Sequence, residues 1–267
     1  MALDPPIAFP PVDGGEPIVI SASTFATFER CPSQALGRMR GVYGPESRRS
    51  FVGGLAHRIF ARHLSDGPIG EAELDAACRE EIGGGMNMKM TALNMKPSEL
   101  RTVIDEVGEL YQRFRTMPTD GFEGAEVRLE VEPADDVTLR GAVDAVFTEG
   151  GGVRLVDWKT GGIGEPGPQL AFYALLWALE RGDIPTRVEA VSVGTGERTD
   201  SVPTRAEVEA TAARVAEVVT VVRRSWSTGA EGERIAGPWC RWCPLLDECR
   251  EGTAAMELLA GRPSAGL

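Results

Sequence analysis

From Gln169 to Leu179 the chain reads Gln-Leu-Ala-Phe-Tyr-Ala-Leu-Leu-Trp-Ala-Leu, three turns of helix that are apolar nearly all round. Such a helix has no polar face to offer water, so a broad apolar surface must cover it. Leu170 to Leu179 is the longest apolar run in the chain and is too short to span a bilayer. A sheet is the natural cover, and strand patterns lie on both sides of the helix. Before it come Ala125 to Val131, Thr138 to Phe147 and Val153 to Trp158, separated by Pro133–Asp136 and the turn Glu149–Gly152. After it comes Arg187 to Val193. Pro97 and Ser98 open an earlier helix whose Val103, Ile104, Val107, Tyr111 and Phe114 share one stripe. Arg205 to Trp226 reads as a long amphipathic helix. From residue 98 the order is α-β-β-β-α-β, which predicts a mixed α/β sandwich with helical flanks.

The first hundred residues read differently. Ser21 and Ser23 are N-cap candidates for a helix through Phe25 and Phe28 to Cys31, which Pro32 interrupts or restarts. Phe51 to Leu64 forms a second helix carrying both histidines, and Glu71 to Glu81 a short third. Gly83 to Lys96, rich in glycine and methionine, is expected to be a loop or to fill a core gap. Met1 to Gly15, proline-rich with no basic start and no apolar run, reads as a loose arm and not as a secretory signal. The expected location is cytoplasmic, with no membrane association.

Net charge is −12, yet Arg30 to Arg62 holds seven arginines (30, 38, 40, 48, 49, 58, 62) against the single acid Glu46. Two readings fit this run: a solvated helical face, or a surface for nucleic-acid phosphates. Lysine is scarce, with only Lys89, Lys96 and Lys159. Where arginine fills most cationic positions, a retained lysine hints at a need for a compact, titratable ammonium.

Asp144 falls inside the second strand, in Gly141-Ala-Val-Asp144, and Asp157-Trp-Lys159 closes the third. Adjacent antiparallel strands can bring two such carboxylates to one sheet edge, where they offer hard oxygen ligands suited to Mg²⁺ or Mn²⁺. Lys159 shares a face with Asp157, because strand side chains alternate. A metal ion and a lysine flanking one water would lower its pKa and aim it at phosphorus. Taken singly, each carboxylate reads more simply as a strand-end turn residue and Lys159 as a solvated terminus. Gln169 and Tyr173 stand one helical turn apart on the apolar helix, where polar groups need a reason. They are either core groups with satisfied hydrogen bonds or contacts beside the metal. His57 lies on an amphipathic helix and is structural or functional. Glu130 is a further acidic candidate.

Of the five cysteines, Cys240, Cys243 and Cys249 form C-x₂-C-x₅-C, and Cys31 stands 209 positions before the first of them. In a cytosolic chain this suggests a metal before disulfides. Cys78 is left over as a buried apolar residue. Trp239 and Trp242, flanking Arg241, are placed either to stack on bases or to shield the cysteine site.

His57, Gly141-Ala-Val-Asp144, Val156-Asp-Trp-Lys159-Thr-Gly and Gln169-Leu-Ala-Phe-Tyr173 resemble, in this order, the nuclease motifs of the RecB family in the PD-(D/E)XK superfamily. The resemblance spans residues 21 to 249. It implies a restriction-endonuclease-like core in which His57, Asp144, Asp157 and the Val156 carbonyl bind Mg²⁺ or Mn²⁺. Lys159 would position or activate water, and Gln169 and Tyr173 would orient the DNA strand or the site's backbone. Val143 stands where the proline of the superfamily's name would be. The cysteines and their context, Phe25-x-x-Phe28-x-x-Cys31-Pro and Trp239-Cys-Arg-Trp-Cys243-Pro, resemble the iron–sulfur branch of the family, with AddB-type subunits and CRISPR-associated exonucleases. That implies a [4Fe–4S] cluster stapling Cys31 to Cys240, Cys243 and Cys249, although four cysteines also suit zinc.

The domain organisation expected is an arm (1–20), a helical region with the first cysteine and the arginines (21–96), the nuclease core (97–227), a cysteine segment (228–250) and a tail (251–267). The expected activity is exonucleolytic hydrolysis of single-stranded or frayed DNA in repair or recombination. The rivals are DNA trimming in CRISPR adaptation and a non-catalytic DNA-end-binding subunit. No phosphate-binding G-x-x-x-x-G-K-[ST] loop is present, so unwinding would need a helicase or other partner.

Overall fold

The computed structural model describes residues 3–260. β1 (Ile18–Ser21) runs straight into α1 (Ala22–Arg30), where the Ser21 hydroxyl accepts the Thr24 N–H as an N-cap. Pro32 opens α2 (Pro32–Met39), and α3 (Arg48–Asp66), α4 (Leu74–Gly85), α5 (Asn87–Ala92) and α6 (Pro97–Phe114) follow. Then come β2 (Phe122–Ala134), β3 (Val137–Glu149), β4 (Gly152–Lys159), α7 (Gly167–Arg181), β5 (Arg187–Ser192), β6 (Arg198–Ser201), α8 (Arg205–Thr228) and α9 (Arg250–Ala260). The α-β-β-β-α-β order from α6 to β5 is the one expected. Among the described residues no helix is long and apolar enough to cross a membrane.

The six strands form one mixed sheet built around β3. β2 lies antiparallel along one edge of β3. The other edge is shared: β1 pairs in parallel with Val137 to Arg140, and β4 pairs antiparallel with Ala145 to Glu149. Residues 141–144 fall in the gap between these two partners. β5 continues the sheet beyond β4 in parallel, and antiparallel β6 ends it.

Each face of the sheet carries its own core. α1, α7 and α8 cover one face, where Phe25, Phe172, Leu175, Leu176 and Val219 pack on Ile20, Leu139, Leu155 and Val188. α3, α4 and α6 cover the other, where Phe51, Phe60, Tyr111 and Phe114 pack on Phe147, Val156, Trp158 and Val191. In β4 the alternation sends Leu155 to the first core and Val156 and Trp158 to the second. Asp157 and Lys159 therefore project on the α7 side. α7 approaches closely because residue 141 is glycine: a Cβ there would meet Tyr173 and Leu176 carbons at 3.0 Å.

Two expectations are corrected. The arm is not loose, since Ile7 is buried, Leu3, Phe9 and Val12 pack on the first core, and Arg205 bonds the Pro5 and Pro6 carbonyls. Its prolines prevent regular pairing, but its spaced apolar side chains still find a core, and residues 18–20 enter the sheet; residues 1–2 lie outside the described part. The segment 83–96 is largely helical, in α4 and α5, with Met86 buried against Gly54 of α3. Of the tail, α9 is helical to Ala260, and residues 261–267 lie outside the described part.

Candidate active site

The β3–β4 ladder ends at Ala145–Val156, and one step further on stand Asp144 and Asp157. There the strands part, and the Asp144 side chain bridges them: its Oδ2 accepts the Trp158 N–H at 2.6 Å. Its Oδ1 lies 3.1 Å from Nδ1 of His57, which α3 presents from the opposite layer. β2 adds a residue the sequence reading missed. Ala125 faces Ala145 and Val127 faces Val143, so Glu126 stands opposite Asp144. Ligand atoms of His57, Glu126 and Asp144 lie within 4.8 Å of one another, the one such set of three among the described residues. The hairpin alone would not have revealed Glu126, because a register shift between Val131 and Ala134 moves the pairing by one residue. Glu130, the acid noted from sequence, is exposed, and its N–H donates to Glu180.

On the other side of Asp144 lies a closed hydrogen-bonded group. The Lys159 ammonium sits 2.6 Å from Oδ2 of Asp157 and donates to Oε1 of Gln169 at 2.9 Å. Gln169 Nε2 donates to Asp157 Oδ1 at 2.9 Å and to the Tyr173 hydroxyl oxygen at 3.0 Å. The Lys159–Asp157 contact lies off the hydrogen-bonding direction, so Asp157 Oδ2 is buried with a charge beside it and no aligned donor. The structure thus brings together Asp157, Lys159, Gln169 and Tyr173, and joins His57 to Asp144. Val156, between β3 and β5 in the sheet, is fully buried next to them.

Electrostatics separate the two groups. Burial pushes the Asp157 carboxyl up to about 6, against the pull of Lys159, and the Asp144 charge adds to the rise. Burial also raises the Tyr173 hydroxyl, which the Asp157 and Asp144 charges push further. For His57 burial acts downward, but the charge and hydrogen bond of Asp144 reverse it and raise the imidazole pKa. Burial, then the Asp144 charge, raises Glu126. A cleft of about 880 Å³ opens on this side, lined among others by His57, Glu126, Asp144, Arg58, Arg62 and Arg128. A second cavity, of about 520 Å³, opens at Lys159 and Gln169 and reaches Arg30 and Trp239.

Among the described residues, three of the seven arginines in the run are engaged by carboxylates, and the others are not. Arg48, Arg58 and Arg62 pair with Glu106, Glu81 and Glu80, while Arg38 and Arg40 donate to Thr27 and Ser225. Arg30 stacks over the Trp239 ring at 5.6 Å, and Trp239 donates to the Ile235 carbonyl. Trp242 is 65% exposed, beneath Arg241.

The two ends of the chain meet. Ser33 N–H donates to the Glu233 carbonyl, and a Cβ at Gly232 would lie 2.8 Å from the backbone of residues 32 and 33. Cys31, Cys240, Cys243 and Cys249 gather there as free thiols, and the charges of the other three, after burial, raise the Cys243 thiol. The Gly237 and Gly252 N–H groups point at the sulfurs of Cys240 and Cys249, at 3.4 and 3.3 Å. A Cβ at Gly252 would crowd Leu246 and the Cys249 sulfur, at 3.2 and 3.3 Å, and touch the Cys240 sulfur at 3.5 Å. Cys78 sits apart, its thiol pushed up to about 12 by burial, which suits a packed apolar role.

A family model described as the PD-(D/E)XK nuclease superfamily matches residues 19–250. The structure is similar to that of a protein named "Putative exonuclease" from Eubacterium rectale, with a TM-score of 0.54 and 14% identity over 91% of this chain and 94% of that one. Its overlap with the protein SSO0001 has a TM-score of 0.33, at 14% identity over 74% of this chain and 94% of that one. No curated protein matches the sequence.

Proposed function

The chain belongs to the PD-(D/E)XK nuclease superfamily, and from that premise we propose that it is a Mg²⁺- or Mn²⁺-dependent DNA exonuclease acting on single-stranded or frayed ends in repair or recombination. The observation that carries the reading is the splayed end of β3 and β4. It sets Asp144 beside His57, and Asp157 beside Lys159 and Gln169, around one point on the sheet. This donor set fits a hard divalent ion: His57, Asp144 and the unaligned Oδ2 of Asp157 offer ligand atoms, and the family resemblance adds the Val156 carbonyl. A divalent ion held there supplies Lewis-acid polarisation of the phosphate.

The chain's own groups do the rest. Gln169 holds Lys159 and Asp157 in fixed relation, and Tyr173 fixes the Gln169 amide. Lys159 then aims a water at phosphorus and manages its proton. Arg128, in the wide cleft and without an ion pair among the described residues, is placed to meet a backbone phosphate.

Iron–sulfur binding at Cys31, Cys240, Cys243 and Cys249 belongs to the same reading. Two backbone N–H groups directed at sulfurs, and the room left at Gly252, suit deprotonated thiolates around a bound group. Four cysteines also suit zinc, and the metal analysis below decides between the two.

The test uses anaerobically purified protein with end-labelled linear and circular single-stranded DNA, with and without Mn²⁺. Metal-dependent loss of the linear substrate alone is the expected result, and the label gives the polarity. Cutting of the circle would make the protein an endonuclease. No cutting by protein that carries its cluster would leave a partner-dependent or end-binding subunit. Iron and acid-labile sulfide analysis of the same preparation separates the cluster from zinc.

A further inference from the structure

Glu126 occupies an unusual position. It lies in the interior of β2, with pairing in register on both sides, yet its φ is +50°. A β-strand residue with a side chain gives up backbone energy in that conformation, and a glycine would not. Glu126 adds a second cost by bringing a carboxylate up to Asp144, in the same 4.8 Å group as the His57 ring nitrogen. No described lysine or arginine forms an ion pair with Glu126. A cation between the three groups would offset both costs, and the cleft of about 880 Å³ at this point leaves it an open approach. Asp157 is different, because Lys159 and Gln169 already hold it from the α7 side.

We infer that Glu126 is a direct protein ligand of the divalent ion held by His57 and Asp144, so that β2 closes the site from the side opposite Asp157. The inference rests on the nuclease reading and adds to it a residue outside the motif set. It makes the coordination a four-element construction from α3, β2, β3 and β4. It also explains why a charged residue, and not glycine, stands at a left-handed position in a strand.

The test is a Mn²⁺ titration of cluster-bearing, divalent-free protein, followed by calorimetry and by the EPR signal of free Mn²⁺. Glu126→Ala is expected to weaken Mn²⁺ binding by about 10-fold or more, in the range that lost support of a metal site produces. Glu126→Gly is expected to weaken it similarly while the metal-free protein melts no lower than wild type, since glycine accepts the positive φ. That pairing of lost affinity with retained stability separates a ligand from a structural residue. If Glu126→Ala and Glu126→Gly both bind Mn²⁺ as wild type does, while His57→Ala and Asp144→Ala do not, Glu126 is no ligand and the nuclease site stands. If all four variants bind as wild type does, the site itself is wrong and the inference falls with it.

Discussion

Around Asp157 the polar groups are paired with one another: Lys159, Gln169 and Tyr173 close on it, with Lys159 and Gln169 still reaching the cavity of about 520 Å³. Around Asp144, His57 supplies one ion-pair partner, while Glu126 brings a second carboxylate from a separate element beside an open cleft. On the function proposed above, the first arrangement is a positioning device that also lends Asp157 to the ion, and its parts hold their geometry with nothing bound. In the function proposed above the second is a ligand set, whose two carboxylates outnumber the one histidine facing them until a divalent ion arrives. Substitutions on the two sides should therefore fail in different ways. The Asp144 side should lose metal binding and rate with little loss of stability. The Asp157 side should lose rate and stability together.

The largest effect expected is on rate. Lys159→Ala should lower cleavage by roughly 10²–10⁴-fold, the usual worth of a positioned proton-transfer group, without changing Mn²⁺ affinity. Asp144→Ala should lose rate to a similar degree and Mn²⁺ affinity as well, which direct titration would report. Equal Mn²⁺ affinity in the two variants would break the division between the halves.

Next comes the closed group itself. Gln169→Ala takes partners from Asp157, Lys159 and Tyr173 at once, all of them buried or half-buried. A cost of about 1–3 kcal/mol in urea unfolding is expected, together with a fall in kcat. Tyr173→Phe removes one acceptor and should cost about 1 kcal/mol. If Gln169→Ala unfolds like wild type, the group is not the rigid device described.

Protons probe both halves together. Asp157, at about 6 in the folded protein against about 3.9 unfolded, holds its proton more tightly when folded. Its contribution to stability is thus full below about pH 4 and is lost as pH rises towards about 6. His57 is also raised, so its contribution is lost as pH rises through its own folded value, above 6.5. A divalent ion competes with both protons. Thermal melts from pH 4 to 8 should show stabilisation by Mn²⁺ growing with pH, and a constant difference would mean that neither group meets the ion.

The contrast between the halves was only partly readable in the sequence. The apolar helix with Gln169 and Tyr173 at one-turn spacing, and Asp157 and Lys159 at strand spacing, placed the closed group, because short-range periodicity sets those relations. Asp144 was readable as a strand residue and His57 as a helical one, but their meeting depends on how α3 packs across the sheet. Glu126 was hidden by a one-residue register shift at the hairpin. β1 was missed because four residues that run directly into a helix cap carry too little alternation to be told from the helix's approach. The partial pairing of the arginine run was hidden for a related reason, since the acids that hold Arg48, Arg58 and Arg62 come from α4 and α6, well outside any local window.

Those arginines supply the smallest effect and the finest test. Arg62 is held by Glu80 at 2.7 Å and Arg58 by Glu81 at 3.3 Å, both at the rim of the cleft. An exposed pair of this kind contributes little to stability, and a phosphate would have to compete with its carboxylate. Arg128 projects from β2 into the same cleft with no such competitor among the described residues. Arg128→Ala should therefore weaken single-stranded DNA binding and lower the salt dependence by about one phosphate contact. Arg62→Ala should change affinity less than about twofold, with an unaltered slope. Fluorescence anisotropy across a salt series, with Ca²⁺ replacing Mn²⁺ to prevent cleavage, would measure both. The opposite ranking would mean that DNA opens the Glu80 and Glu81 pairs on binding, and the arginine run would become the phosphate surface that its local charge suggests.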